Sequence, residues 1–128
     1  MKKKYLIVVA DYYEDISKGL IDSSLKLIPK SNTIKIIRVP GVFEIPVTIS
    51  KNIKKYDAFL ALGGVMRGQT PHFDFISKST TDAIMLLSIE HTKPIANGIL
   101  TCLNKNQANK RKNKGKEAAI ALKSVLSQ

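Results

Sequence analysis

The chain has 128 residues, with 21 Lys and Arg against 10 Asp and Glu, a net charge of +11, and 44% apolar residues. That length suits one domain, 1–128, large enough to bury a real core, and the mixture is that of a globular protein. No apolar run approaches the ~20 residues of a membrane span, so a transmembrane helix is excluded.

The start, MKKKY, looks like the basic end of a signal peptide, but the apolar stretch at 5–10 is too short and acids follow at once. The expectation is a cytoplasmic chain. Residues 5–10, YLIVVA, read as a buried parallel-type strand, and Asp11-Tyr12-Tyr13 stands at its C-terminal end, where open α/β sheets place ligands. A helix follows, with Ile16, Leu20, Leu27 and Ile28 on one side, stopping near Pro29. Residues 33–39 form a second strand, broken by Pro40-Gly41. From 42 to 53, Ile45, Ile49 and Ile53 recur every four residues, which predicts a helix with Pro46 in its first turn.

The next stretch, 56–74 (YDAFLALGGVMRGQTPHFD), organises the rest. A short apolar run, 58–62, predicts a third buried strand. Gly63, Gly64 and Gly68 then predict a loop that lets a ligand approach the main chain. Thr70-Pro71 reads as an N-cap and a first-turn proline. A strand, a glycine-rich loop and the unpaired amides of a helix start together suit an anion. Arg67 lies on that loop and His72 in the first helical turn, where the helix dipole favours a neutral, proton-accepting imidazole. A strand, a turn and a capped helix with a nearby histidine are also ordinary α/β punctuation, so the assignment needs the rest of the chain.

The helix after Pro71 carries Phe73, Ile76, Thr80, Ala83, Ile84, Leu87 and His91 on one face, with His91 read as a helix-end residue. Residues 95–103 predict a fourth strand, interrupted at Asn97-Gly98. Asn104 and Gln107 have the spacing of a capping box for a short helix. A last helix runs from about Gly115 and buries Ala118, Ala119, Leu122, Val125 and Leu126. The single cysteine, Cys102, excludes an internal disulfide, fits a reducing compartment and reads as a small buried residue at a strand end. Six of the residues 105–116 are basic and none is acidic. No aromatic lies among them to stack on bases, so the expectation is no nucleic-acid partner.

Four strands alternating with helices predict an α/β fold, a three-layer αβα sandwich on a four-stranded parallel sheet. The ligand-facing ends then carry Tyr12, Phe43-Glu44, Arg67 to His72 and the basic segment. The aromatics suit a flat heterocycle, and Arg111 with the loop amides suits a phosphate. No His, Cys and Asp cluster has metal-ligand spacing, and neither a GxGxxG fingerprint nor a P-loop is present.

Several stretches occur together, in order, over essentially the whole chain: PGVFEIP (40–46), LGGVMRGQTPHFD (62–74), NGILT (97–101), Gln107-Ala108 with Arg111, and NKGKEAA (113–119). Together they closely resemble the 6,7-dimethyl-8-ribityllumazine synthase family, of flavodoxin-like fold. The resemblance implies condensation of 5-amino-6-(ribitylamino)uracil with 3,4-dihydroxy-2-butanone 4-phosphate, the penultimate step of riboflavin biosynthesis, without cofactor or metal. It implies that Tyr12 stacks on the pyrimidine, and that Val42, Phe43 and Glu44, with Gly64, Val65 and Met66, hold the ring and ribityl chain. Gly68, Gln69 and Thr70 would meet the phosphate-bearing substrate, Arg111 would bind its phosphate, and His72 would transfer protons. Asn97 and Lys114 would complete the binding set, with Glu117 as an acid nearby. The resemblance further implies a homo-oligomer, a pentamer whose sites lie between subunits. Departures from the family pattern are Asn97, where many members have Phe, Gln69, and a connection between Arg111 and Asn113 about five residues shorter. The alternatives are a riboflavin- or lumazine-binding paralogue without turnover and a flavodoxin-like signalling or nucleic-acid module. For a response regulator, Gly63-Gly64 stand where an acid would be needed.

Overall fold

The computed structural model describes residues 2–67 and 72–128. Its elements alternate: β1 (Lys4–Ala10), α1 (Glu14–Leu25), β2 (Thr33–Val39), a 3-10 turn (Val42–Glu44), α2 (Ile45–Asn52), β3 (Ala58–Met66), α3 (His72–His91), β4 (Ile95–Cys102), α4 (Lys105–Asn109) and α5 (Lys114–Leu126). The strands form one parallel sheet in the order β2-β1-β3-β4. This is the predicted αβα sandwich, with flavodoxin-like strand order.

The burial of each strand follows from its place. β1 and β3 are central, and their apolar runs are buried on both faces, as parallel strands require. β2 and β4 are edges, and their exposure alternates. Ile7, Val9, Leu60 and Leu62 pack under α1 and α5, with Ile16, Leu20, Ala119 and Leu122. Leu6, Val8, Phe59 and Ala61 face the opposite layer, with Ile45, Ile49 and Ile84 of α2 and α3. Each such Leu, Ile or Phe contributes about 1.5–3 kcal/mol by leaving water.

Some boundaries differ from the sequence expectation. β3 does not stop at Leu62. It continues through Gly63 and Gly64 to Met66, paired with β4 as far as Met66 opposite Cys102, so the first part of the expected loop is strand. β4 likewise runs unbroken through Asn97-Gly98. Gly98 serves packing there: a Cβ on it would lie 2.5 Å from Leu62 Cδ2 and 3.4 Å from the Ala118 side chain. The expected helix at 42–53 divides into the 3-10 turn and α2, with Pro46 in the first turn of α2. α1 ends at Leu25, short of Pro29, although Ile28 is still buried.

On α3, Thr80 and Ile84 are buried, Phe73, Ile76, Ala83 and Leu87 are half-buried, and His91, its last residue, is exposed. Val125 is exposed rather than buried, because α5 turns its last apolar residues toward a surface groove, and Leu126 is half-buried. The capping pair is present in altered form: Asn104 Oδ1 accepts the Gln107 amide at 2.8 Å, but Gln107 Oε1 accepts the Leu103 amide instead of that of Asn104. Cys102 is buried at the end of β4, as expected.

α1 and α5 cross in close contact at Gly115, where a Cβ would run into the Leu20 carbonyl oxygen and Ser23 Oγ. Both are fixed, one by the α1 backbone and the other by a 2.9 Å hydrogen bond from Ser23 Oγ to the Lys112 carbonyl. Gly19 offers a contrast of degree, since a Cβ there meets Lys112 side-chain atoms, Cδ at 2.6 Å, Cγ at 2.9 Å and Cβ at 3.0 Å, rather than helix backbone. Gly115→Ala is therefore expected to destabilise the fold by about 1–3 kcal/mol through overpacking. Gly19→Ala should cost less, because the outer part of the Lys112 side chain can give and alanine favours a helix by up to ~1 kcal/mol over glycine. Chemical denaturation of the two variants checks this; equal losses would contradict the packing assigned to Gly115.

Candidate functional site

In the order β2-β1-β3-β4, the chain leaves β1 toward one edge of the sheet and β3 toward the other. A crevice opens between the carboxyl ends of β1 and β3, the usual ligand position in open α/β sheets. A cleft of about 600 Å³ occupies it. Tyr12 and Tyr13 come from the end of β1, Gly41 to Glu44 from the turn after β2, Gly64 to Met66 from the end of β3, and His72 and Ile76 from α3. The structure thus brings together the sequence-predicted Tyr12, Val42, Phe43, Glu44, Gly64, Val65, Met66 and His72.

The side chains in the cleft divide by role. Tyr12 is 75% exposed and Phe43 61%, so neither ring is spent on the core and both can meet a ligand. Val42 is buried and anchors the turn between them. Its Cγ1 lies 3.0 Å from where a Cβ would stand on Gly63, so any larger residue there would displace the turn. Glu44 closes that turn on itself: Oε1 accepts the Gly41 amide at 3.0 Å, and the Glu44 amide returns to the Gly41 carbonyl at 3.2 Å. The result is a rigid Pro-Gly corner that projects Phe43. His72 stands exposed at the cleft, on the first described residue of α3.

Three sequence-predicted site residues, Gly68, Gln69 and Thr70, lie outside the described residues, as does Pro71. The others fall elsewhere. Arg111 and Lys114 line a separate recess of about 390 Å³ with Thr101, Lys110, Asn113 and Glu117, between the end of β4 and the start of α5. This recess is polar, with Lys110, Arg111 and Lys114 set against the single acid Glu117. The short α4–α5 connection that carries Arg111 is held to α1 by the bond from Ser23 to the Lys112 carbonyl. Asn97 sits nearer the start of β4, in a third groove with Met85, Ile89 and Val125. Its Oδ1 accepts the Ile99 amide at 2.9 Å. Within one chain, the aromatic cleft, the basic recess and Asn97 therefore line different depressions.

Sequence reasoning did not assign Tyr13, Gly41 and Ile76 in the cleft, or Thr101 and Lys110 in the recess. Tyr13 could have been suspected, since it adjoins Tyr12 at a ligand-facing strand end. Burial, with Tyr12 beside it, pushes the Tyr13 phenol above its ordinary value, so it stays neutral through the physiological range. No group of three His, Cys, Asp or Glu that could hold a metal occurs among the described residues. Nor is any helix among them long and apolar enough to cross a membrane.

The family model described as 6,7-dimethyl-8-ribityllumazine synthase matches residues 2–128. A protein of Mycolicibacterium gilvum bearing that name is 36% identical over 124 residues, covering 90% of this chain and 78% of its own. One of Renibacterium salmoninarum, with the same name, is 37% identical over 105 residues, covering 80% of this chain and 66% of its own. A family match along nearly the whole length, together with relatives 36–37% identical to it, places this chain in the 6,7-dimethyl-8-ribityllumazine synthase family.

Proposed function

We propose that the chain is a transferase that condenses 5-amino-6-(D-ribitylamino)uracil with 3,4-dihydroxy-2-butanone 4-phosphate to 6,7-dimethyl-8-ribityllumazine, releasing phosphate and water in the penultimate step of riboflavin biosynthesis. Family membership along residues 2–128 carries this reading. The cleft that joins Tyr12, Phe43 and His72 supports it. The pyrimidine amine attacks the ketone to form an imine with loss of water, phosphate leaves, and the ring closes with loss of further water. Each step moves a proton, which a histidine performs near neutral pH. Holding both substrates in register supplies much of the remaining acceleration.

In this reading Tyr12 stacks on the pyrimidine. Val42, Phe43 and Glu44, opposite Gly64, Val65 and Met66, hold the ring and ribityl chain. Gly68, Gln69 and Thr70 meet the butanone phosphate, and Arg111 and Lys114 bind its phosphate. The reaction needs no cofactor, the chain works in the cytoplasm, and its partners are these two substrates and further copies of itself.

The working unit is a homopentamer with shared sites. Two features support this. Arg111 and the Tyr12–His72 cleft line separate depressions, so a site containing both is most simply completed by a neighbour's recess. The α3 helix also leaves Phe75, Met85, Leu86 and Ile89 exposed, apolar surface of the kind a subunit contact covers. A heterologous contact of this sort closes by rotation into a ring. The short Arg111–Asn113 connection and the charge of +11 favour a ring that stops at five rather than building a shell of sixty.

Mixing the protein with both substrates and following lumazine absorbance and released phosphate tests the activity; absence of both would refute it. His72→Ala should lower kcat by about 10²–10⁴-fold while pyrimidine binding holds within a few-fold. Unchanged turnover would remove His72 from the proton transfers. Arg111→Ala should raise KM for the butanone phosphate far more than KM for the pyrimidine. Arg111→Lys should also be defective, because an ammonium lacks the guanidinium's paired donors. A defect on the pyrimidine side alone would shift the anchor to Lys112 or Lys114. Light scattering should give a mass near five subunits. A particle of about sixty would overturn the open ring, and an active monomer would overturn the shared site.

A further inference from the structure

Tyr12 extends from the end of β1 with three-quarters of its surface in solvent, and the ring it contacts is that of Tyr13. The ring centroids are 4.8 Å apart and the planes meet at 72°, edge to face. In that geometry at least one face of Tyr12 stays uncovered. An exposed side chain samples several rotamers, whereas a stacking surface works best when its orientation is set before the ligand arrives.

Tyr13 is fixed where Tyr12 is not. Its ring is half-buried against the α1/α5 side of the core. It lies over Gly64, with Cδ2 4.0 Å from where a Cβ would stand, beside Ile16 and Met66. The backbone beneath is held at several points. Tyr13 is the N-cap residue of α1, and its carbonyl accepts the Ser17 amide at 2.9 Å and lies 3.0 Å from Ser17 Oγ. That buried hydroxyl is also 2.6 Å from the Ala10 carbonyl, and so joins the strand end to the helix start. On the other side of Tyr12, the Asp11 amide donates to the Val39 carbonyl at 2.9 Å, and the Asp11 carboxylate meets Arg38, also at 2.9 Å.

We propose that Tyr13 is a positioning residue for the condensation, its anchored ring holding the Tyr12 ring in the orientation that offers a face to the pyrimidine. The proposal rests on the reading of Tyr12 as the stacking surface. Tyr13 supplies no proton and touches no reacting atom. It acts through Tyr12, and it does so with its ring rather than its hydroxyl.

Steady-state kinetics with each substrate varied would test this. Tyr13→Leu fills the anchor but removes the ring. It should raise KM for the pyrimidine by roughly two- to ten-fold, the range an aromatic pair commands, with kcat and KM for the butanone phosphate unchanged. Tyr13→Phe should restore the pyrimidine KM to within twofold of wild type. In a Tyr12→Ala background, Tyr13→Leu should cause no further loss. Equal effects on both substrates, failure of Phe to rescue, or full additivity in the double variant would each overturn the proposal. Should Tyr13→Leu fail to fold, ring-to-ring NOEs in wild-type protein with labelled tyrosines decide: strong Tyr12–Tyr13 contacts support it, and an averaged Tyr12 ring overturns it. A wild-type protein without turnover would instead refute the proposed reaction.

Discussion

The pairing of β1 with β3, with helices on both faces, is the constraint from which the rest follows. Because both strands are buried on two sides, nearly every residue from Leu6 to Val9 and from Ala58 to Leu62 is apolar. A one-residue slip in this pair would exchange the sets of side chains facing α1/α5 and α2/α3. The register is thereby fixed, and with it the relative placing of Tyr12, just past β1, and Met66, at the end of β3. The cleft is a consequence of strand order. Neighbouring central strands whose connections depart in opposite directions leave a gap at their carboxyl ends.

The small residues near the site serve this construction. Gly63 lets Val42 close on Ala10, so the turn after β2 sits directly over the strand end. Gly64 leaves its surface open to the Tyr13 and Met66 side chains, which form part of the cleft wall. Both lie within the β3 ladder, Gly63 opposite Ile99 and Gly64 opposite Leu100 of β4, rather than in a loop. The cleft is consequently built on strand ends and a self-closed turn, supports that hold a substrate more exactingly than long loops do.

Charge is arranged to match two unlike demands. The aromatic cleft carries Glu44, with one carboxylate oxygen turned back to its own turn, and presents largely apolar and ring surface. The recess around Arg111 gathers three cations against one acid, an environment that suits a phosphate better than the aromatic cleft does. On the proposed reading, this separation would keep cations away from the uncharged ring of one substrate, and one subunit would hold only part of the machinery, tying function to assembly.

Much of this was legible in the residues. Strand and helix identities followed from periodicity, since burial on two faces gives unbroken apolar runs and burial on one gives repeats of three and four. The motifs PGVFEIP and LGGVMRGQTPHFD pointed to the cleft residues. The tertiary structure alone decided where the glycines stand. Gly63, Gly64 and Gly98 look like strand breakers, yet they are strand residues paired with a parallel neighbour, and at Gly63 and Gly98 a packed side chain takes the space of the missing Cβ. It also decided that Val125, in phase with buried residues of α5, is exposed, since it faces an open groove with Met85 and Ile89 of α3. The distribution of Tyr12, Arg111 and Asn97 over different depressions could not be read from sequence either. Spacing along the chain gives each residue's strand end, whereas which strand ends share a crevice depends on the order in which the strands pair.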